Sequence, residues 1–592
     1  MCRIAGLINL PGDIQVMTDS QYRGGPDGSG IWEQNNVRLG HRRLSIIDLT
    51  DAGNQPMVDS ENGRVIVFNG EIYNFLTLKE ELLSKGAIFH SHTDTEVILK
   101  AFQYWGTDAF QRLRGMYAFA IYDQNTQEIW AARDPAGIKP FYYFHSVTKG
   151  FAFASEVRAF KSIWPDHPDN TDWPVYLLAF GHIPAPNTIL NQIFELGPGH
   201  YLNYNIQTGQ LKKSSFHQYQ LIPQYYSRNQ IVEAIHEKVT AAVKSHLISD
   251  APLGTFLSGG IDSSLLSILV KAAGIQNPSL LAVRFKETAF SEAPFQDLIA
   301  KKLQCHLETR TITKNDFYDD IEDILNAYDQ PSVDGINTYF ISKAAKEMGV
   351  KVMISGIGAD ELLGGYYNPN RFKTLLRLKK LPHSWLKFAE NIPDKRISRM
   401  SYFALNSSAG DYLAYRGIYS PGIIARILDM SENQVVQILS QPYALPEGPP
   451  PTDNELFTYL DFNYYLKNQL LKDTDVMSMW HGIEVRVPFL DQDLVQFCMG
   501  IDPHLRFDPL RPKKLLIDAF KDQLPIEIWQ RPKQGFVFPF QIWLGKHYEL
   551  INEHISLHSN PYVKNLIGSY LKGNLHWSRI WSLFLLKEIS MR

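Results

Sequence analysis

Leu253-Gly254-Thr255-Phe256-Leu257-Ser258-Gly259-Gly260-Ile261-Asp262-Ser263-Ser264 runs from an apolar segment, through two glycines, into a helical pattern. Leu253–Leu257 reads as a strand and Ser263–Ala273 as an amphipathic helix. The glycines permit a tight turn whose N–H groups, with a helix N-terminus behind them, attract phosphate oxygens. The hydroxyls of Ser258, Ser263 and Ser264 add donors, and no Gly-Lys-[Ser/Thr] follows, so the turn is not a Walker A loop. Outward from it, Leu280–Phe285 reads as a strand, Phe295–Leu303 as a helix and Val350–Ile354 as another strand. This alternation predicts an α/β domain with a parallel sheet covered by helices. A second glycine-rich strand end, Ser355-Gly356-Ile357-Gly358-Ala359-Asp360-Glu361, precedes Gly364-Gly365-Tyr366. Asp262 and Asp360, at the ends of two strands, are placed to bridge a hard cation on pyrophosphate.

From about Asn368 the pattern is mainly helical, interrupted by a surface-loop passage at Pro442, Pro446 and Pro449–Pro451. Before residues 205–230 the chain is β-rich, with runs Arg64–Phe68, Met116–Tyr122, Glu128–Ala132 and Phe151–Ala154, and a hairpin over Gly199–Leu211. One helix stands among them, Thr95–Trp105, with Val97, Ile98, Ala101, Phe102 and Trp105 at helical spacing. Two domains are expected, 2–220 and 228–592, joined by a linker at 221–227.

The composition sets the class. The 592 residues carry 58 Lys plus Arg against 62 Asp plus Glu, a net charge of −4, which gives no general affinity for nucleic acid. Hydrophobic residues at 44% and charged residues at 20% exclude a disordered chain. The apolar stretch after Arg3 breaks at Asn9 and Pro11, too short for a signal peptide, and no run has membrane-spanning length. Cys2, Cys305 and Cys498 are three and far apart, which excludes a disulfide scaffold and a CxxC metal site. A cytoplasmic protein without membrane or nucleic-acid partners is expected; the oligomeric state, a homodimer included, is left open.

Cys2 follows Met1 directly, so removal of the methionine would put a thiol and a free α-amine on one residue. That amine, with an ordinary pKa of ~7.7–8.0, can take the thiol proton and return it to a leaving group. Asn69-Gly70-Glu71-Ile72-Tyr73-Asn74 follows an apolar strand, and a side-chain amide beside a glycine N–H suits an oxyanion hole. Arg43 can clamp a carboxylate through its planar fork. Asp94 suits an ammonium group, although taken by itself its position before a helix suits an N-cap better. A thiol, an oxyanion hole and partners for both ends of an amino acid describe an amino-acid amidase.

At this point the N-terminal part resembles the class II (N-terminal-nucleophile) glutamine amidotransferases. Met1-Cys2-Arg3-Ile4-Ala5-Gly6 is similar to their start, with arginine where glycine is usual. Tyr22-Arg23-Gly24-Gly25-Pro26-Asp27 is similar to their His-Arg-Gly-Pro-Asp loop with one glycine extra, and Asn69–Asn74, Asp94 and Arg133–Pro140 also match. The two glycine-rich strand ends resemble the PP-loop ATP-pyrophosphatases, and Gln330-Pro331, Arg486–Asp491 and Arg531–Phe536 extend the resemblance to the glutamine-hydrolysing asparagine synthetase family. It implies an α+β N-terminal-nucleophile domain, an αββα sandwich, ahead of the PP-loop domain.

For function the resemblance implies hydrolysis of glutamine at Cys2, with Asn69 and Gly70 as oxyanion hole and Arg43, Asn69, Gly70 and Asp94 binding glutamine. ATP would lie against Leu257, Ser258, Gly259, Gly260, Asp262, Ser263, Ser264, Val283, Ser355 and Gly356. Mg²⁺ would bind Asp262 and Asp360, and Lys533 would be the catalytic cation. The ammonia would amidate an adenylated aspartate, releasing AMP and pyrophosphate. Ile357 departs from the glutamate or tyrosine of better-known relatives, which leaves a sugar acid or peptide acid open as acceptor. Glu361, Asp473, Asp475 and Glu484 are the carboxylates available for proton transfer in its place. A glutaminase or scaffold lacking synthesis is the rival of another class, and retention of Ser258–Ser264, Asp360 and Lys533 argues against it.

Overall fold

The computed structural model describes every residue except 1, 276, 367–368, 393–394, 444–454, 509, 533–534, 536, 547–559 and 592. Lys533 and most of the proline-rich passage therefore lie outside the described residues.

Alternation along the N-terminal strands builds four layers. In strand Arg64–Ile72, Val65 and Val67 point to one face and Ile66 and Phe68 to the other. The first pair meets Ile4, Ile8, Val37 and Leu39 of a second sheet. The second pair packs under helices Phe75–Ser84 and Asp94–Trp105. On the far side, Ala5, Leu7, Ala152 and Ala154 pack against helices Ile14–Asp19 and Arg158–Ile163. The result is the expected αββα sandwich of two six-stranded antiparallel sheets. Strand Cys2–Ile8 lies within one of them, between Val37–Arg43 and Gly150–Ala154, and Cys2 is in register with Arg43.

The third sheet is wholly parallel, in the spatial order Leu307–Ile312, Ser279–Phe285, Leu253–Phe256, Val352–Ile354, Glu484–Arg486. The order reverses between Leu253–Phe256 and Val352–Ile354. A crevice opens at the carboxyl ends of two strands where their connections part to opposite sides, which is where open α/β sheets bind ligands. The turns at Ser258 and Ser355 flank that crevice.

The two domains share a core. Helix Trp173–Phe180 belongs by sequence to the first domain, yet all of it except Pro174 is buried in the apolar cluster of the second. It is apolar all round, the pattern of a helix enclosed by protein. The linker is also docked: Gln224 N–H donates to Gly500 O at 2.7 Å, and the Tyr225 ring lies 4.5 Å from that of Phe497.

Candidate functional site

The first site stands at the start of strand Cys2–Ile8. Cys2 is 9% exposed, and its backbone N–H donates to Asn69 Oδ1 at 3.2 Å. Burial pushes the thiol up, opposed by a Leu44 backbone hydrogen bond and by Arg43. Asn69 Nδ2 is buried with no hydrogen-bond partner among the described residues, an amide donor held ready for an acceptor atom. Gly70 follows at φ +151°, and a Cβ there would stand 2.1 Å from Met116 O. Only glycine keeps that strand pair closed.

Arg43 and Asp94 are fixed rather than mobile. The Arg43 guanidinium donates to Thr50 O at 2.7 Å, to Asn54 Oδ1 at 2.9 Å and to Asp48 O, and a Cβ on Gly53 would collide with it. Asp94 does not cap its helix. Thr93 does, accepting from Glu96 N–H at 3.2 Å, which leaves the Asp94 carboxylate to accept from Ile72 N–H at 2.9 Å. Burial lifts Asp94 to about 6 despite backbone N–H bonds that lower it.

Arg3 and the glycine pair, two departures from the family pattern, are complementary. A Cβ on Gly24 would lie 2.7 Å from Arg3 Nε, so the glycine makes room for the arginine. Arg3 is fully buried and crosses the domain boundary, donating from Nε to Glu156 Oε1 at 2.7 Å and from Nη1 to Asp475 Oδ2 at 2.7 Å. Lys139 Nζ also reaches Asp475, at 3.4 Å. Burial would raise Asp475, but Arg3 and Lys139 outweigh it and hold the carboxyl below its ordinary range. Arg133–Pro140 is thus interface scaffold: Asp134, wholly buried, accepts from Ile138 and Lys139 N–H at 2.9 and 3.0 Å.

The second site is a cavity of 1160 Å³ at the strand-order reversal of the parallel sheet. Leu257, Ser258, Gly260, Asp262, Ser263, Val283, Ser355 and Gly356 line it, whereas Gly259 and Ser264 stand behind the wall. Ser258 Oγ is 2.9 Å from Ser263 Oγ and accepts from Gly260 N–H at 3.2 Å. Helix Ile261–Ala272 starts at Gly260 with no side-chain cap, so its first N–H groups remain available to an anion. Gly259, at φ +84°, presents its carbonyl to Arg531 Nη2 at 2.9 Å, and Arg531 also pairs with Glu292 at 2.6 Å, tying the turn to the next helix.

Asp262 and Asp360 converge on Lys513, a residue that no motif singled out. Lys513 Nζ lies 2.5 Å from Asp360 Oδ1 and in contact with Asp262 Oδ2. Among the described residues no group of three or more His, Cys, Asp or Glu side chains could hold a metal unaided. Two carboxylates with phosphate oxygens completing the shell is how Mg²⁺ is usually held, and Asp262 and Asp360 fit that pattern. Nothing in the doublet Lys513-Lys514 marks the first of the two, whose approach depends on a backbone φ of +55°.

The four candidate proton acceptors divide. Asp475 is engaged at the interface. Burial would raise Glu484, but nearby positive charge, Arg486 included, outweighs it and holds the carboxyl at about 2. Glu361 and Asp473 line the cavity. Burial and the neighbouring Asp360 lift Glu361 to about 8, while burial and Asp334 raise Asp473, which accepts from Ser332 Oγ at 2.6 Å. Ile357 lines the same wall.

One short strand joins the two sites. Arg486 O accepts from Ser355 N–H at 2.8 Å, while its guanidinium pairs with Glu484 at 2.5 Å and stands 3.7 Å from Glu71, two residues after Asn69.

A sandwich with a thiol on an inner strand, fused to a parallel sheet with glycine-rich strand ends, defines a two-domain amidotransferase. Residues 1–219 match the family model described as glutamine amidotransferase domain, and residues 234–589 match asparagine synthase. Asparagine synthetase [glutamine-hydrolyzing] 1 of Bacillus subtilis is 30% identical over 94% of this chain and 86% of its own length. A putative asparagine synthetase [glutamine-hydrolyzing] of Mycobacterium tuberculosis is 29% identical, covering 88% of this chain and 83% of its own. Among solved structures, glutamine phosphoribosylpyrophosphate amidotransferase from B. subtilis shares 15% identity at a TM-score of 0.29, over 52% of this chain and 81% of that one. The chain belongs to the asparagine synthase family and is a ligase of that family. No helix among the described residues is long and apolar enough to cross a membrane.

Proposed function

We propose that the protein is a glutamine-dependent, ATP-driven amide synthase, with aspartate as the first acceptor to test. The observation that carries this reading is strand Glu484–Arg486, whose backbone holds the Ser355 turn while its guanidinium faces the residues around Cys2. Two half-reactions linked by ammonia need such adjacency.

With Met1 removed, the Cys2 amine takes the thiol proton and the sulfur attacks the glutamine side-chain carbonyl. Asn69 Nδ2 and Gly70 N–H stabilise the oxyanion. The C–N bond then breaks, ammonia leaves with the returned proton, and water hydrolyses the thioester to glutamate. Arg43 and Asp94 hold the two ends of glutamine. In the cavity, an acceptor carboxylate oxygen attacks the α-phosphorus of ATP and pyrophosphate departs. Ammonia attacks the acyl-adenylate and AMP leaves. Ser258, Ser263 and the free helix N-terminus bind phosphate oxygens, and Lys513 balances their charge, a task the family resemblance also assigns to Lys533. Asp262 and Asp360 would hold Mg²⁺, which neutralises phosphate charge when bound. Glu361 and Asp473 are the cavity carboxyls able to exchange the proton of attacking ammonia.

Purified protein given glutamine, ATP and Mg²⁺ should release AMP and pyrophosphate in equal amounts only when a carboxylate acceptor is added. A screen over aspartate and larger acids identifies it. Glutamine hydrolysis with no acceptor-dependent pyrophosphate from any acid would leave only a glutaminase.

A further inference from the structure

The cavity does not end at the nucleotide turns. Arg416, Ile418, His576 and Ser578 also wall an adjoining annex of 310 Å³, which Arg399 and Arg579 bound as well. None of the described residues bounding the annex is acidic.

Arg416 stands at the junction and lines both spaces. Its Nε donates to Asp461 Oδ1 at 2.8 Å, and its guanidinium stacks over the Tyr465 ring at 4.0 Å. Both partners come from Asp461–Leu470, which is wound as a π-helix, a form frequent at functional sites. Arg579, on the annex wall, is 9% exposed. Its Nη1 is buried with no hydrogen-bond partner among the described residues, and its ring neighbour is Tyr419, 5.2 Å away. Burial lowers its proton affinity, opposed by Tyr419, Tyr402 and Tyr562. A buried guanidinium donor left unmatched is unfavourable unless a ligand satisfies it. Arginine's planar fork is suited to carboxylate and phosphate oxygens.

We propose that the annex is a subsite for a distal anionic group of the acceptor, so that the preferred substrate is a carboxylic acid longer than aspartate that carries a second carboxylate or a phosphate at its far end. This rests on the amide-synthase reading and names the substrate class of the same cavity. The reacting carboxylate lies toward Ser258 and Lys513, the middle of the molecule passes Tyr366 and Arg416, and the far anion meets Arg579.

The test compares matched pairs at saturating ATP, Mg²⁺ and glutamine, with acceptor-dependent pyrophosphate as readout: glucuronate against glucuronate 1-phosphate, Asp-Gly amide against Asp-Gly, and free aspartate. The member with the distal anion should exceed its partner, and aspartate, by about 10- to 100-fold in kcat/KM, the worth of one charge-assisted hydrogen bond. The two pairs separate a phosphate from a carboxylate as the preferred terminus. In Arg579→Met the ratio within the preferred pair should fall by at least about tenfold. The wild-type ratio decides the matter if that variant does not fold. Equal use within both pairs, or aspartate preferred over all, overturns the subsite and leaves the synthase reading standing. No pyrophosphate with any acid, while glutamine is still hydrolysed, overturns both.

Discussion

The two sites solve opposite problems. Around Cys2 the functional side chains are already matched to protein partners: Arg43 to three loop oxygens, Asp94 to a backbone N–H, Asn69 to the Cys2 nitrogen. In the parallel-sheet domain they lie on strand-end turns around open space, and charged side chains there meet one another, as in Asp262–Lys513–Asp360. A pocket for a single amino acid gains from rigid pre-organisation. On the proposed reading the second site binds ATP, metal and acceptor and then loses pyrophosphate, which needs charges that can exchange partners. The first site should therefore respond to substitution by losing chemistry, the second by losing charge balance.

The sharpest way to break this contrast is Cys2→Ala. Glutamine hydrolysis should disappear while synthesis with free ammonium continues, measured as glutamate and pyrophosphate release. Persistent hydrolysis would remove Cys2 from the mechanism, as would a mature protein whose mass still includes Met1.

In the second domain, Asp360→Asn and Lys513→Met should each lower acceptor-dependent pyrophosphate release by ~10²–10³, the scale for one lost electrostatic contact at a reacting centre. Basal glutaminase should persist in both. Wild-type pyrophosphate release in either variant would place that residue outside the site.

The domain boundary belongs to neither pattern, since Arg3, Glu156, Asp475 and Lys139 are buried charges with a structural task. Arg3→Gly, the residue usual in relatives, leaves Glu156 and Asp475 short of a partner and should cost about 3–5 kcal/mol of stability. A urea unfolding midpoint unchanged from wild type would show that Lys139 and Arg158, which also pair with Asp475 and Glu156, neutralise the cluster without Arg3.

The smallest effect concerns Asp94. With a folded pKa of about 6, it should lose its attraction for the glutamine ammonium as pH falls through 6, so KM for glutamine rises on the acid side. Linkage runs the other way for stability. Relative to an unfolded value of ~3.9, the folded protein holds the extra proton, so ionising Asp94 as pH rises toward 6 destabilises the fold. Asp94→Asn should accordingly raise the unfolding midpoint at pH 7 and flatten the acid limb of KM. An acid limb unchanged in that variant would assign it to another group.

Much of this was legible locally. Strand alternation at Arg64–Phe68 and helical spacing at Val97–Trp105 depend on neighbours in sequence, and both elements formed, extended to Arg64–Ile72 and Asp94–Trp105. The glycine-rich turns at Ser258 and Ser355 were legible for the same reason: a strand end, a turn and a helix start are contiguous. Strands Leu307–Ile312 and Glu484–Arg486 were not read, because three to six residues acquire strand geometry only from the sheet beside them. Helix Trp173–Phe180 escaped because a helix apolar on all sides has no periodic stripe to detect.

By itself, then, the sequence determined the two kinds of domain, the glycine-rich strand-end turns and the Asn69-Gly70 pair, since each is encoded in a short contiguous stretch. Tertiary structure alone decided which charges meet. Arg3 comes to Asp475 across 472 positions and Lys513 to Asp262 across 251. Arg579 comes to Arg416 only because two helices wall the same cavity. Coulombic and hydrogen-bond energies depend on distance in space, which the spacing of residues along a chain does not specify.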